Sequence, residues 1–214
     1  MAASGSVVWA HVDESWFRAV NDFARSTGWL HAPARMYAEY GVFLFAGLLL
    51  ASWWLARRSG DLDRVAAALW APVGALIALG VNQLIAGSVA EPRPYVVLPH
   101  VLVLVSRSTD YSFPSDHAVM AGAVAVGVLL AGRTLGWVAV VLAVLMAVTR
   151  VYVGAHFPLD VAAGLAFGAL VALVSYLAVR PLLSRLLTAL AQSPARPLLT
   201  AEPASTRDGL MVDS

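Results

Sequence analysis

"SDHAVMAGAVAVGVLLAGRTLGWVAVVLAVLMAVTR", residues 115–150, is two apolar runs hinged at Gly132-Arg133, with no other charge between Asp116 and Arg150. A membrane-spanning helix needs roughly 20 mostly apolar residues. Both runs are short for a span, and the turn between them is tight, so together they read as a helical hairpin. The hairpin's open end then carries Ser115, Asp116 and His117 on one limb and Arg150 on the other. A chain that places these residues side by side at the mouth of an apolar hairpin raises the question of what they hold.

The rest of the 214-residue chain fits the same solvent. It is 60% hydrophobic and 13% charged, with a mean hydropathy of +0.76, where a soluble domain carries about 25% charged residues. Three more apolar stretches flank the hairpin: Tyr40 to Ala56, Val65 to about Ala90, and Val161 to Val179. The expected fold is all-α: a polytopic membrane bundle of about five transmembrane helices. Ahead of them, Trp16, Phe17, Val20, Phe23 and Ala24 recur at helical spacing within Glu14 to Leu30. This predicts an amphipathic helix lying on the membrane, the alternative being a helix packed on the protein itself. The chain accordingly divides into an N-terminal segment 1–35, a transmembrane domain 36–183 and a tail 184–214, expected to be disordered toward its end. Asp13 and Glu14 stand where a leader's apolar core would have to lie, so no cleavable signal peptide is expected.

There is no cysteine, which excludes disulfides and thiolate metal sites. Net charge is +1, and no nucleic-acid partner is expected. Every one of the 14 basic residues is arginine. Five spans put Arg57, Arg58, Arg64, Arg133, Arg180 and Arg185 on one side, taken as cytoplasmic. Arg93, Arg107 and Arg150 fall opposite, with Arg18, Arg25 and Arg35, so the count is a tie. The arginines at span ends and the reading of Arg93 and Arg150 below decide the orientation.

In this layout "EPRPY" (91–95), "FPSDH" (113–117) and "TRVYVGAHFPLD" (149–160) share one membrane face. Taken singly, each residue has a bland explanation: an arginine snorkels, a serine caps a helix. Their convergence at membrane depth, where polar groups are costly, points to function. Arg93 and Arg150 offer planar donor forks suited to phosphate oxygens. Ser115 adds a hydroxyl beside the N–H groups that open a helix. His117 and His156 supply imidazoles. Asp160 follows His156 by four residues, and Pro158 suits the first turn of a helix, so the carboxylate can reach back to the ring. A carboxylate on one ring nitrogen leaves the other free as a nucleophile. A zinc site built from His117, His156 and Asp160 is the competing chemistry, but two arginines suit an anion better than a cation. A lipid or ion transporter is the competing non-enzymatic class, though the spans show no inverted repeat.

The three clusters resemble the signature motifs of the type 2 phosphatidic acid phosphatase (PAP2) family. Arg93-Pro94 resembles the first motif, Pro114-Ser115-Asp116-His117 the second with Asp for Gly, and Thr149-Arg150 with His156 and Asp160 the third with Thr for Ser. "NQLIAG" (82–87), "PRPY" (92–95) and "SFPSDHA" (112–118) are similar to the bacitracin-resistance branch of undecaprenyl pyrophosphate phosphatases. The departure is Ala86, where the family has a lysine. The resemblance implies that His156 attacks phosphorus, Asp160 orients it and His117 serves as acid and then base. Arg93, Ser115, Arg150 and Asp116 would bind the phosphate, with no cofactor and no metal. It further implies a lipid phosphate substrate, most simply a polyprenyl diphosphate, cleaved at the extracytoplasmic face of a bacterial cell membrane. Phosphatidic acid and phosphatidylglycerophosphate are the alternatives, and the oligomeric state is open.

Overall fold

The computed structural model describes residues 2–194, 199 and 200, with side chains described from His11 onward; the last part of the tail, 201–214, lies outside the described residues. Among the described residues seven α-helices follow one another: α1 (Ala2–Ser26), α2 (His31–Ser59), α3 (Leu62–Val89), α4 (Pro94–Val97), α5 (Asp116–Ala131), α6 (Arg133–Tyr152) and α7 (Pro158–Leu190). A 3₁₀ turn, Gly28–Leu30, joins α1 to α2. Among the same residues four segments, built on α2, α3, α6 and α7, are long and apolar enough to cross a membrane, and α5 is a shorter apolar helix. This is the all-helical, multi-pass bundle expected from the apolar runs.

The helices outrun those runs because helix ends do not need apolar side chains. Asp61 caps α3 by accepting from the N–H groups of Asp63 and Arg64. Gly60 ends α2 in the left-handed conformation, at φ +69°. α7 begins with Pro158, whose missing N–H is no loss at a first turn. It then continues through Pro181 to Leu190, past the expected end of the fifth span at Val179 and into the expected tail.

α5 is the axis of the bundle, packed against α2, α3, α6 and α7. In lipid no hydrophobic driving force brings helices together, so close approach and dispersion must hold them. The sequence supplies small residues for this. A Cβ on Gly168 of α7 would strike the Val119 carbonyl of α5, and one on Gly122 of α5 would strike the Leu165 carbonyl of α7. Gly164, one turn before Gly168, lies against Ala118 and the Ser115 carbonyl. This Gly-x-x-x-Gly seam seats the start of α5 against the start of α7, the two helix ends that carry Ser115 and Asp160.

The amphipathic segment is helical from Ala2 to Ser26, and its inner face packs on the protein. Phe17 is fully buried and meets the Phe157 ring edge-on, centroids 5.4 Å apart. The Asp13 carboxylate accepts from the Leu159 N–H (2.9 Å) at the head of α7. The Asn21 amide donates to the Leu102 carbonyl (2.9 Å) and accepts from the Leu102 N–H (3.0 Å). Trp16 and Phe23 point outward, 61% and 55% exposed. The helix therefore straps the loop face of the bundle while turning an aromatic edge away from it.

Candidate active site

The loop end of the bundle gathers the C-terminus of α3, the N-termini of α5 and α7, and the end of α6. Four bonds stitch it. The Ser115 N–H donates to the Asp160 carbonyl at 3.2 Å. The Leu104 N–H donates to the Val153 carbonyl at 3.0 Å. The Ser112 N–H donates to the Glu91 carbonyl at 2.8 Å. The Asn82 amide donates to the Pro114 carbonyl at 3.1 Å. The loop before His156 turns at Gly154, φ +77°, where any Cβ would strike the Leu102 carbonyl. Only glycine meets both demands.

His156 is 2% exposed. Its Nδ1 lies 2.8 Å from the Ser112 carbonyl, and its Nε2 lies 3.2 Å from Nη1 of Arg93. A carbonyl can only accept and a guanidinium can only donate. Nδ1 therefore carries the hydrogen, and the lone pair sits on Nε2, facing Arg93. Burial, reinforced by the charges of Arg150 and Arg93, pushes the ring's pKa below the ordinary imidazole value against the opposing pull of Asp160. The ring is thus neutral, with its Nε2 electron pair turned toward the Arg93 guanidinium, the lone pair that a phosphorus nucleophile requires.

Asp160 is 1% exposed and occupies the third position of α7. Its Oδ2 accepts from Ser112 Oγ at 2.5 Å and from the Phe157 N–H at 2.8 Å. The same oxygen is 3.6 Å from His156 Nδ1, so the carboxylate acts on the ring as a nearby charge. The hydrogen bond to Nδ1 belongs to the Ser112 carbonyl. Ser112 therefore joins the pair: its carbonyl holds the ring and its hydroxyl holds the carboxylate. The sequence pattern gave this serine no role.

Arg93 is anchored by Nε to the Asp110 carbonyl (3.0 Å) and by Nη1 to the Ala155 carbonyl (3.3 Å). Arg150, 7% exposed, reaches the Ala38 carbonyl at 3.5 Å through Nη1. His117 is half-buried at the start of α5, within electrostatic range of Arg150, His156 and Arg93. Ser115 is fully buried. Among the described residues, four buried side-chain atoms find no hydrogen-bond partner: Asn82 Oδ1, Ser115 Oγ, Arg150 Nε and Asp160 Oδ1. Buried polar atoms left unpaired are costly, and the two that can donate, Ser115 Oγ and Arg150 Nε, belong to residues suited to bind an anion. No group of three or more His, Cys, Asp or Glu suited to a metal occurs among the described residues.

Asp116 is placed differently from a phosphate ligand. Its Oδ1 accepts from Asn82 Nδ2 (2.7 Å) and Gln83 Nε2 (2.9 Å), tying α5 to α3. Those two amides were visible in the sequence as polar interruptions of an apolar span, and the carboxylate explains them.

A model of the PAP2 superfamily matches residues 67–183 of the chain. The chain belongs to the PAP2 superfamily. Among its relatives is the bacitracin transport permease protein BcrC of Bacillus licheniformis, 31% identical over 157 residues, 73% of this chain and 75% of that protein. The undecaprenyl-diphosphatase BcrC of Bacillus subtilis is 32% identical over 145 residues, 68% of this chain and 72% of that one. A crystal structure of a transmembrane PAP2 type phosphatidylglycerolphosphate phosphatase from Bacillus subtilis shares the fold. It has a TM-score of 0.54 and 20% identity, covering 78% of this chain and 84% of the other. All the PAP2 motif residues named above lie inside the matched segment. Ala86, where the resemblance to the family's first motif expects a lysine, lies on α3, three and four residues after the Gln83 and Asn82 that bind Asp116.

Proposed function

We propose that this membrane protein hydrolyses a polyprenyl diphosphate to the monophosphate and inorganic phosphate, recycling a cell-wall lipid carrier. The observation that carries the reading is the buried His156, its Nε2 3.2 Å from Arg93 Nη1, at the end of the bundle that also holds Arg150 and the unpartnered Ser115 hydroxyl. The similarity to an undecaprenyl-diphosphatase supports the choice of lipid. An apolar groove of about 470 Å³ lies under α1 between α6 and α7, reaching Val151 and Pro158 beside the catalytic loop. It offers a prenyl chain a seat next to the reacting groups.

In the first step His156 Nε2 attacks the terminal phosphorus. A P–N bond forms, the bridging P–O bond breaks, and its electron pair leaves on the lipid monophosphate, protonated as needed by His117. Arg93, Arg150 and Ser115 hold the phosphoryl oxygens as charge spreads over them. In the second step His117 takes a proton from water. The water oxygen bonds to phosphorus, and the P–N electrons return to Nε2, releasing phosphate.

The test is steady-state kinetics of the purified protein on polyprenyl diphosphate and phosphatidic acid in one detergent. A phosphate monoester is a far better leaving group than an alkoxide. This site has Ala86 for lysine and an added carboxylate at Asp116, so its field suits the easier departure. The diphosphate should show the higher kcat/KM. His117→Ala should lower phosphatidic acid turnover by roughly 10²–10⁴ and diphosphate turnover by less. Equal or better kcat/KM on phosphatidic acid would replace the carrier with a glycerolipid.

The proposed site of action is the extracytoplasmic face. The opposite end of the bundle carries Arg57 and Arg58 stacked on Trp54, and Arg180 paired with Asp63 at 3.0 Å, the pattern of a cytoplasmic boundary. Reporter fusions after Arg58 and Arg180 should read cytoplasm, and one near His100 should read outside. The reverse pattern would move the chemistry to the inner leaflet.

A further inference from the structure

The PAP2 lysine is replaced by Ala86, and the chain has no other lysine to stand in for it. A diphosphate nonetheless brings more negative charge to the site than a monoester. Its departing half must carry away the electron pair of the broken bond, and Arg93 and Arg150 are committed to the phosphoryl group at Nε2. A further cation belongs beside the departing phosphate.

The segment 107–110 folds back over Arg93-Pro94-Tyr95. Arg93 Nε bonds the Asp110 carbonyl at 3.0 Å. The Tyr95 hydroxyl donates to the Ser108 carbonyl (2.9 Å) and accepts from the Ser108 N–H (3.0 Å), which fixes the segment against the ring. The Arg107 guanidinium then lies 5.5 Å from the Tyr95 ring centroid, a cation–π placement. Tyr95 is itself two residues from Arg93, whose Nη1 lies 3.2 Å from His156 Nε2. No carboxylate lies within 4.0 Å of Arg107 among the described residues. The nearby Asp110 side chain is engaged by Ser108 Oγ at 2.6 Å. Arg107 is exposed where the two phosphate-binding arginines are buried. It is a positioned, uncompensated cation one layer outside them.

We propose that Arg107, held on Tyr95, binds the leaving phosphate of a lipid diphosphate and supplies the charge that Ala86 lacks. This rests on the diphosphate reading above. The bond that breaks is the bridging P–O bond, and Arg107 neutralises the charge that its electron pair adds to the departing monophosphate.

Purified full-length wild type, Arg107→Ala and Arg107→Lys decide it. The substrates are polyprenyl diphosphate and phosphatidic acid, with inorganic diphosphate and inorganic phosphate as competing inhibitors. Arg107→Ala should lower kcat/KM for the diphosphate roughly 10- to 100-fold, the scale of one charge-assisted bond, and affect phosphatidic acid far less. Inhibition by inorganic diphosphate should weaken similarly while inhibition by phosphate holds, and Arg107→Lys should recover most of the loss. An equal fall on both substrates, or no fall on the diphosphate, overturns the proposal and leaves the diphosphate reading standing. A wild type that prefers phosphatidic acid removes that reading, and this proposal with it, before any variant is made. If Arg107→Ala does not fold, Arg107→Gln makes the same comparison.

Discussion

Replacing His156 with alanine is expected to abolish phosphate release, a loss of roughly 10⁴-fold or more, as when a covalent nucleophile is removed. The side chain is buried, and its Nε2 lies within hydrogen-bond distance of Arg93 Nη1. Its hydrogen is fixed on Nδ1 by the Ser112 carbonyl, so the lone pair is on Nε2 in every turnover. Labelled substrate quenched rapidly into alkali, where a phosphorus–nitrogen bond survives, should leave label on wild type and none on His156→Ala. Turnover within tenfold of wild type in the variant would assign the nucleophile elsewhere.

Asp160→Asn is expected to lower kcat by roughly 10²–10⁴, the range for losing an orienting carboxylate. The geometry gives the reason its own form. When Nε2 takes the phosphoryl group, the ring keeps the hydrogen on Nδ1 and becomes cationic. A carboxylate 3.6 Å away stabilises that cation without bonding it. Asparagine keeps the size and one acceptor but removes the charge. Ser112→Ala removes the 2.5 Å hydroxyl bond to Asp160 and keeps both the carbonyl and the charge, so its loss should be nearer tenfold. Kinetics on both variants, with thermal unfolding to exclude collapse, separate the two contributions. If Ser112→Ala is the more damaged of the two, the charge is not what Asp160 supplies.

The spans were legible because a bilayer demands a minimum apolar length, and the shared face of the three clusters follows from counting five crossings. The nearness of Asp160 to His156 was legible in their four-residue spacing, whereas the contact of His156 with Arg93, 63 residues away, was not. Ser112 was not, because the group that holds the ring is a backbone carbonyl, which every residue possesses. The hydrogen bonds of Asp116 were not legible either, because its amide partners lie 33 and 34 residues away and nothing local in the sequence marks them. The N-terminal helix was ambiguous since Asp13 and Asn21 look water-facing in sequence. In the fold they cap α7 and clamp Leu102. Burial there depresses the charged form of Asp13 and raises its pKa, against the pull of the Leu159 N–H.

The central helix is also shorter than the four packed around it. At 16 residues, α5 covers about 24 Å at 1.5 Å per residue, against a hydrocarbon core of about 30 Å. Its first turn holds His117, and its neighbours α2, α3 and α7 are much longer. Bilayer thickness thereby becomes a determinant of catalysis. On the proposed mechanism, a thinner membrane brings aqueous solvent closer to the phosphohistidine that must be hydrolysed. A thicker one buries the reacting end and taxes the entry of a charged head group.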